Sequence, residues 1–195
     1  DRDAREGARV LGIALTHRNG RPMAGIPYHA ADTYIKKLIA AGRKVAICDQ
    51  VEAPQPGKIV KRELTRILTP GTALEDHQVA ANRGNYLVAV NFAGKYLTMA
   101  WIDVSTGDFQ IAADRDPANL LSVMTALDPA EVILPEQGRE TWQDQEETRG
   151  WYRQFEAFLA GRAVSDLPDY HFDVGDGARL VMETLGVLNL EGFGL

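Results

Sequence analysis

The chain is poor in cysteine: Cys48 is the only one in 195 residues. A single thiol excludes an internal disulfide framework and a CxxC-type zinc site, and it fits a reducing compartment such as the cytoplasm. No apolar run approaches the ~18 residues of a membrane span, and no signal-peptide pattern opens the chain, so no membrane partner is expected. There is no Gly-x-x-x-x-Gly-Lys-Ser/Thr phosphate loop, hence no ATP site of that type. Thr106-Gly107-Asp108 and Asp173-Val174-Gly175-Asp176-Gly177 offer Gly and Asp without the spacing of a calcium loop. No Phe precedes Phe92, and no internal repeat or low-complexity tract is visible.

What is present is a division of charge. The net charge of -6 would by itself argue against a nucleic-acid partner. Residues 1–72, however, carry 13 Lys and Arg against 7 Asp and Glu, whereas residues 73–195 carry 8 against 20. The first part can meet phosphate and the second repels it, so the two parts have different tasks.

Periodicity organises the chain accordingly. Ala4, Ala8 and Leu11 recur at helical spacing ahead of Gly12, and the opening residues Asp1–Glu6 read as the middle of a helix, as if continuing from a longer chain. Residues 13–16 read as a short strand, 17–21 as a polar turn, and Pro22-Met23-Ala24-Gly25 as a loop entering a helix over 31–41 that Gly42 stops. Strands are expected over 44–51 and 59–68, giving a small α+β unit around one sheet. Cys48 falls mid-strand and is expected to be a buried, inert thiol. Residues 73–84 lack hydrophobic periodicity and read as a linker. Three strands follow, over 86–92, 96–105 and 108–112, as an antiparallel meander. Asp116 caps a helix that starts at Pro117 and runs to Leu127. A buried-type strand over 130–134, polar helical sequence over 139–158 and a helix over 176–185 complete the chain, with Trp142 and Trp151 as expected core anchors.

Four stretches in this order carry a resemblance: Pro22-Met23-Ala24-Gly25-Ile26-Pro27-Tyr28-His29-Ala30, Val45–Glu52, Arg66–Thr72 and Asp103–Phe109. Together they resemble the N-terminal part of the MutS family of DNA mismatch-recognition proteins, over nearly the whole chain. The resemblance implies a mixed α/β protein: a mismatch-recognition domain over 1–72, lacking its start, a linker over 73–84, and an RNase H-like connector domain over 85–195. It implies mismatched double-stranded DNA as a partner, and MutL, which the connector engages in the ATP-bound clamp. It further implies contacts with the other domains of the same chain and with a second MutS protomer, made mainly downstream, so that this fragment alone is monomeric. No cofactor is expected within this chain, because the family places its ATP and Mg²⁺ site further along. The family also carries a Phe-x-Glu pair just upstream of the segment resembling Asp1–Ala4, in which Phe stacks on the mispaired base and Glu hydrogen-bonds to it. That pair is absent here, which puts the chain's own mismatch selectivity in doubt.

The candidate DNA-binding residues follow. Spacing alone favours Met23 in the core, as a lone Met usually is, over a place pressing into a minor groove beside an unstacked step; the resemblance reverses this and implies the groove, for Met23 and for Pro22. Arg18 and Arg21 flank that loop, and Lys58, Lys61, Arg62 and Arg66 lie on or before the strand over 59–68, where they can neutralise phosphates without reading sequence. Lys61 and Arg62 are adjacent and therefore point to opposite faces. His29, with the backbone N–H groups at the following helix start, is a further phosphate candidate.

The alternative is enzymatic. Asp103 and Asp108 stand near a strand turn where RNase H-like nucleases hold metal-binding acids, with Asp128 and Glu131 as further carboxylates for a two-metal cleavage site. Read structurally, the same acids are ordinary turn and strand-end residues, and the connector that this part resembles is not catalytic. A third reading is a purely protein-interaction fragment, which predicts no salt-sensitive DNA binding.

Overall fold

The computed structural model describes residues 2–53, 60–73, 84–93 and 95–193. The chain divides into two units, Asp1–Gln78 and Val79–Leu195. Most of the segment read as a linker lies outside the described residues.

In the first unit, α1 (Arg2–Leu11) is followed by two short strands, β1 (Leu15–Arg18) and β2 (Arg21–Ala24), paired antiparallel. The strand expected over 13–16 is thus shifted by two residues, and Pro22 and Met23 are strand residues, not a loop. The turn between the strands explains the shift. Asn19 and Gly20 have φ of 51° and 74°, the two consecutive positive values that a two-residue hairpin turn of right-handed twist requires. Pro22 is tolerated because both strands of a two-stranded ribbon are edges.

A 3₁₀ turn (Tyr28–Ala30) leads into α2 (Ala31–Ala40). A second ribbon follows, β3 (Val45–Gln50) with β4 (Arg62–Leu68). The single sheet expected here is therefore two separate two-stranded sheets among the described residues, with α1 packed on the first ribbon, α2 on β3, and the two helices on each other. A ribbon covered by one helix leaves its other face to water. Cys48 lies on such a face and is exposed, not buried. Thr69 and Thr72 close the turn after β4 reciprocally, each backbone N–H donating to the other's hydroxyl oxygen.

The second unit is built on a five-stranded sheet of order β7-β6-β5-β8-β9. β5 (Tyr86–Ala93), β6 (Tyr96–Asp103) and β7 (Asp108–Asp114) form the antiparallel meander, and β8 (Glu131–Pro135) lies parallel to β5. This is the RNase H-like arrangement. Asp116 caps α3 (Pro117–Leu127) by accepting from the Ala118 N–H at 3.0 Å. The polar helical stretch is two helices, α4 (Gly138–Asp144) and α5 (Glu146–Leu159), separated by the extended backbone of Gln145. β9 (Ala163–Leu167), parallel to β8, has no counterpart among the expected strands. The last helix, α6 (Val174–Leu185), begins two residues earlier than expected because Asp173 caps it.

The core of this unit is aromatic. Val88, Val90, Leu97, Met99, Val132 and Leu134 present one face of the sheet to Leu120, Met124, Trp142, Trp151 and Phe155, all buried. Phe92 meets Trp142 and Trp151 edge-on, each at 5.3 Å, and Trp151 stacks on Phe155 at 4.7 Å. The Trp151 indole also donates to the Pro117 carbonyl at 3.2 Å, so its one polar group is satisfied. Both tryptophans are core anchors, as expected. Phe155 is fully enclosed at the centre of this set. Phe155→Ala is expected to destabilise the second unit by ~3–5 kcal/mol, measured by urea unfolding followed through tryptophan fluorescence; a loss under ~1 kcal/mol would contradict the packing described.

Candidate nucleic-acid interface

The β1–β2 hairpin sorts its residues by strand alternation. Thr16 pairs with Met23, His17 with Pro22, and Arg18 with Arg21. Arg18, Arg21, Thr16 and Met23 therefore share one face, and Leu15, His17, Pro22 and Ala24 share the other. Leu15, Pro22 and Ala24 are half-buried, on the ribbon that packs against α1. The first face is exposed: Met23 keeps 42% of its surface accessible. The Thr16 hydroxyl donates to the Met23 carbonyl at 2.9 Å, holding the two strands in register at the level of that side chain. Met23 is thus not a core residue, and a hollow lined by Arg18, Asn19, Arg21, Pro22 and Met23 opens at this end of the ribbon. Sequence reasoning missed Asn19, although the Asn-Gly dipeptide is the signal that specifies this turn.

The remaining cations are distributed less favourably. The Lys61 ammonium is paired with Glu63 at 2.6 Å. A register shift between Ile47 and Cys48 places Arg62 opposite Gln50 and Arg66 opposite Ile47. Gln50 and Ile47 belong to opposite faces of β3, so the irregularity parts two arginines that a regular strand would have aligned. Both are exposed. His29 is exposed on the 3₁₀ turn, and α2 begins without a side-chain cap, but the N–H of its first residue, Ala31, donates to the Tyr28 carbonyl and Asp32 stands in its first turn, so this helix start is a poor anion site. Lys58 lies outside the described residues. Of the cations named from sequence that lie among the described residues, the fold brings only Arg18 and Arg21 side by side.

The carboxylate alternative meets a different geometry. Asp103 is buried, and one of its oxygens accepts from the Asn85 N–H (3.2 Å), the Ser105 N–H (2.9 Å) and the Ser105 hydroxyl (2.6 Å). The Ser105 hydroxyl above all, against the opposing effect of burial, holds the Asp103 carboxyl below the usual range. Asp108, paired across the strands with Asp103, is exposed and accepts from the Gln110 amide at 3.0 Å. Asp128 is paired with Arg162 at 3.1 Å, and Glu131 accepts from the Ser165 hydroxyl between β8 and β9. Among the described residues no three His, Cys, Asp or Glu side chains are grouped so as to hold a metal ion. Asp103 ties the start of β5 to the β6–β7 turn.

That role has a pH signature. Asp103→Asn is expected to cost ~1–3 kcal/mol near neutrality. Because the folded carboxyl titrates below its unfolded value of ~3.9, its contribution is complete above about pH 4 and is lost as pH falls through the folded value. The stability gap between parent and variant should narrow below about pH 4 in urea unfolding; a gap unchanged down to about pH 3 would contradict the assignment.

Comparison with known proteins places this geometry in a family. A model of MutS domain I matches residues 1–77, and one of MutS domain II matches residues 85–195. Proteins named DNA mismatch repair protein MutS from Syntrophobacter fumaroxidans and Syntrophomonas wolfei are 37% and 40% identical over 201 and 202 residues, in each case 99% of this chain. The one from Pseudothermotoga lettingae is 41% identical over 172 residues, 88% of this chain. These alignments cover 22%, 23% and 20% of the relatives, so the chain spans about a fifth of their length. Matched over both domain models and along nearly its whole length, the chain belongs to the MutS family.

Proposed function

We propose that this chain is the DNA-gripping and connector portion of a mismatch-repair protein that recognises and kinks mispaired double-stranded DNA. Residues 1–72 grip the duplex, 73–84 link, and 85–195 relay the state of the clamp to MutL. The observation that carries this reading is the exposed Met23 on the same ribbon face as Arg18 and Arg21. An apolar side chain pressed against a base step lowers the cost of a kink, while flanking guanidiniums hold the backbone that the kink brings closer. A mispaired step is easier to unstack, which is how such a grip comes to favour mismatches.

Pro22 stiffens the strand behind Met23 and borders the hollow. Arg62 and Arg66 supply phosphate contacts from the second ribbon, Lys61 does so on release from Glu63, His29 adds a contact beside α2, and Lys58 is a further phosphate contact. The acidic second unit stays off the DNA and offers a surface to protein partners, namely MutL, further domains of the same chain and a second protomer. It carries no catalytic role in this reading. In this reading ATP and Mg²⁺ are held outside residues 1–195, as the resemblance to the family implies. The setting proposed is the cytoplasm, on the resemblance to the family. Among the described residues no helix is long and apolar enough to cross a membrane.

Because no Phe precedes Phe92, the stacking residue of the family is not among residues 1–91, and the grip alone discriminates weakly. Fluorescence anisotropy of the 195-residue chain with matched and G·T duplexes across a salt series is expected to give weak, steeply salt-dependent binding with little preference for the mispair. Met23→Ala should weaken binding several-fold, on the order of 1 kcal/mol for a partly buried side chain. Salt-independent binding, or none at low salt, would contradict the reading.

A further inference from the structure

Arg18 and Arg21 are direct cross-strand partners on either side of a two-residue turn. Like charges placed opposite one another destabilise a ribbon. Nothing nearby offsets this pair: among the described residues no carboxylate lies within ion-pair distance of either guanidinium, and neither rests on an aromatic ring. Strand alternation points both side chains to the same exposed face, and the Asn19–Gly20 turn leaves the end of that face open as a hollow. Some guanidiniums elsewhere in the chain do have acidic partners, as in Arg43 with Glu6, Arg139 with Asp166 and Arg179 with Asp176.

We infer that Arg18 and Arg21 form one anion site, two guanidinium forks closing on a single phosphate. Each fork presents parallel N–H donors suited to two oxygens of one phosphate. A phosphate between them turns the repulsion of the free pair into attraction for both members. In the DNA complex that phosphate is a backbone phosphodiester beside the step on which Met23 presses, which rests on the function proposed above. The anion chemistry itself does not, since inorganic phosphate presents the same oxygens.

Two arms separate these points. In the first, the salt dependence of G·T-duplex binding is compared for the 195-residue chain and its Arg18→Gln/Arg21→Gln double variant. A shared phosphate predicts that the slope of log K against log salt falls by about 0.9, where two separately held phosphates would remove about 1.8. In the second, arginine Nε–H signals are followed by NMR during titration with inorganic phosphate. Both Arg18 and Arg21 signals should move along one binding curve, and the surviving signal of either single variant should respond at least about tenfold more weakly. As a control on folding, Arg21→Gln should not lower the thermal stability of the chain in phosphate-free buffer, because it removes a repulsion.

A slope change near 1.8, independent phosphate curves, or a response confined to one arginine would overturn the inference. Paired phosphate binding without duplex binding would uphold it and overturn the DNA reading. Duplex binding without a paired phosphate response would do the reverse.

Discussion

The arrangement of the first unit depends on one backbone constraint, the paired positive φ angles of Asn19 and Gly20. They close the hairpin in two residues, and a two-residue closure fixes the register. Register in turn decides which side chains share a face. A slip of one residue would turn Met23 and Arg21 toward α1 and expose Pro22 and Ala24. The apolar positions Leu15, Pro22 and Ala24 oppose that slip, since they are the ones packed on the helix side. The candidate DNA surface is therefore the polar remainder of a hydrophobic choice: what α1 does not cover is two arginines with an exposed methionine between them and the ribbon's far end.

The two units spend their side chains differently. The second encloses an aromatic cluster under one face of a five-stranded sheet, with tryptophans, phenylalanines and branched aliphatics in contact. In the first, Ala8 and Ile39 are the buried apolar side chains among the described residues. Its two ribbons keep outward faces carrying Met23, Leu64 and Ile67 exposed. A unit with so little enclosed apolar surface has low intrinsic stability, and anything that binds only its folded form, nucleic acid included, stabilises it by mass action. The charge division runs along the same line. Cations gather where the core is thin, and acids gather where the fold is self-sufficient.

Much of this was legible in the sequence. Apolar spacing located the helices, alternating strands located the meander, and Asp116-Pro117 marked the start of α3 to the residue. The family could be read from four short stretches. What escaped was mostly pairing. Residue composition over 44–51 and 59–68 identifies strands but says nothing about whether they join the first hairpin, and among the described residues they do not. Pro22 disguised β2 as a loop, since proline is excluded from most strands and admitted only at edges. β9 is five residues long and contains Ser165 and Asp166, too short and too polar to stand out until β8 is present beside it. The exposure of Cys48 and the parting of Arg62 from Arg66 follow from a ribbon with one covered face and a register shift, neither of which leaves a local signature. For the site, the residue types were legible and the face was not: only the observed register shows that Met23, Arg18 and Arg21 stand together while Pro22 turns away.

The central claim is that this face of the hairpin meets DNA. The most direct test is chemical-shift mapping of the isotopically labelled 195-residue chain with a short G·T duplex at low salt. The account predicts the largest shifts at Thr16, Arg18–Arg21 and Met23, smaller ones at His29, Arg62 and Arg66, and none around Asp103 and Asp108. Shifts centred on the Asp103–Asp108 turn, or a hairpin left unperturbed while the duplex is bound, would contradict it.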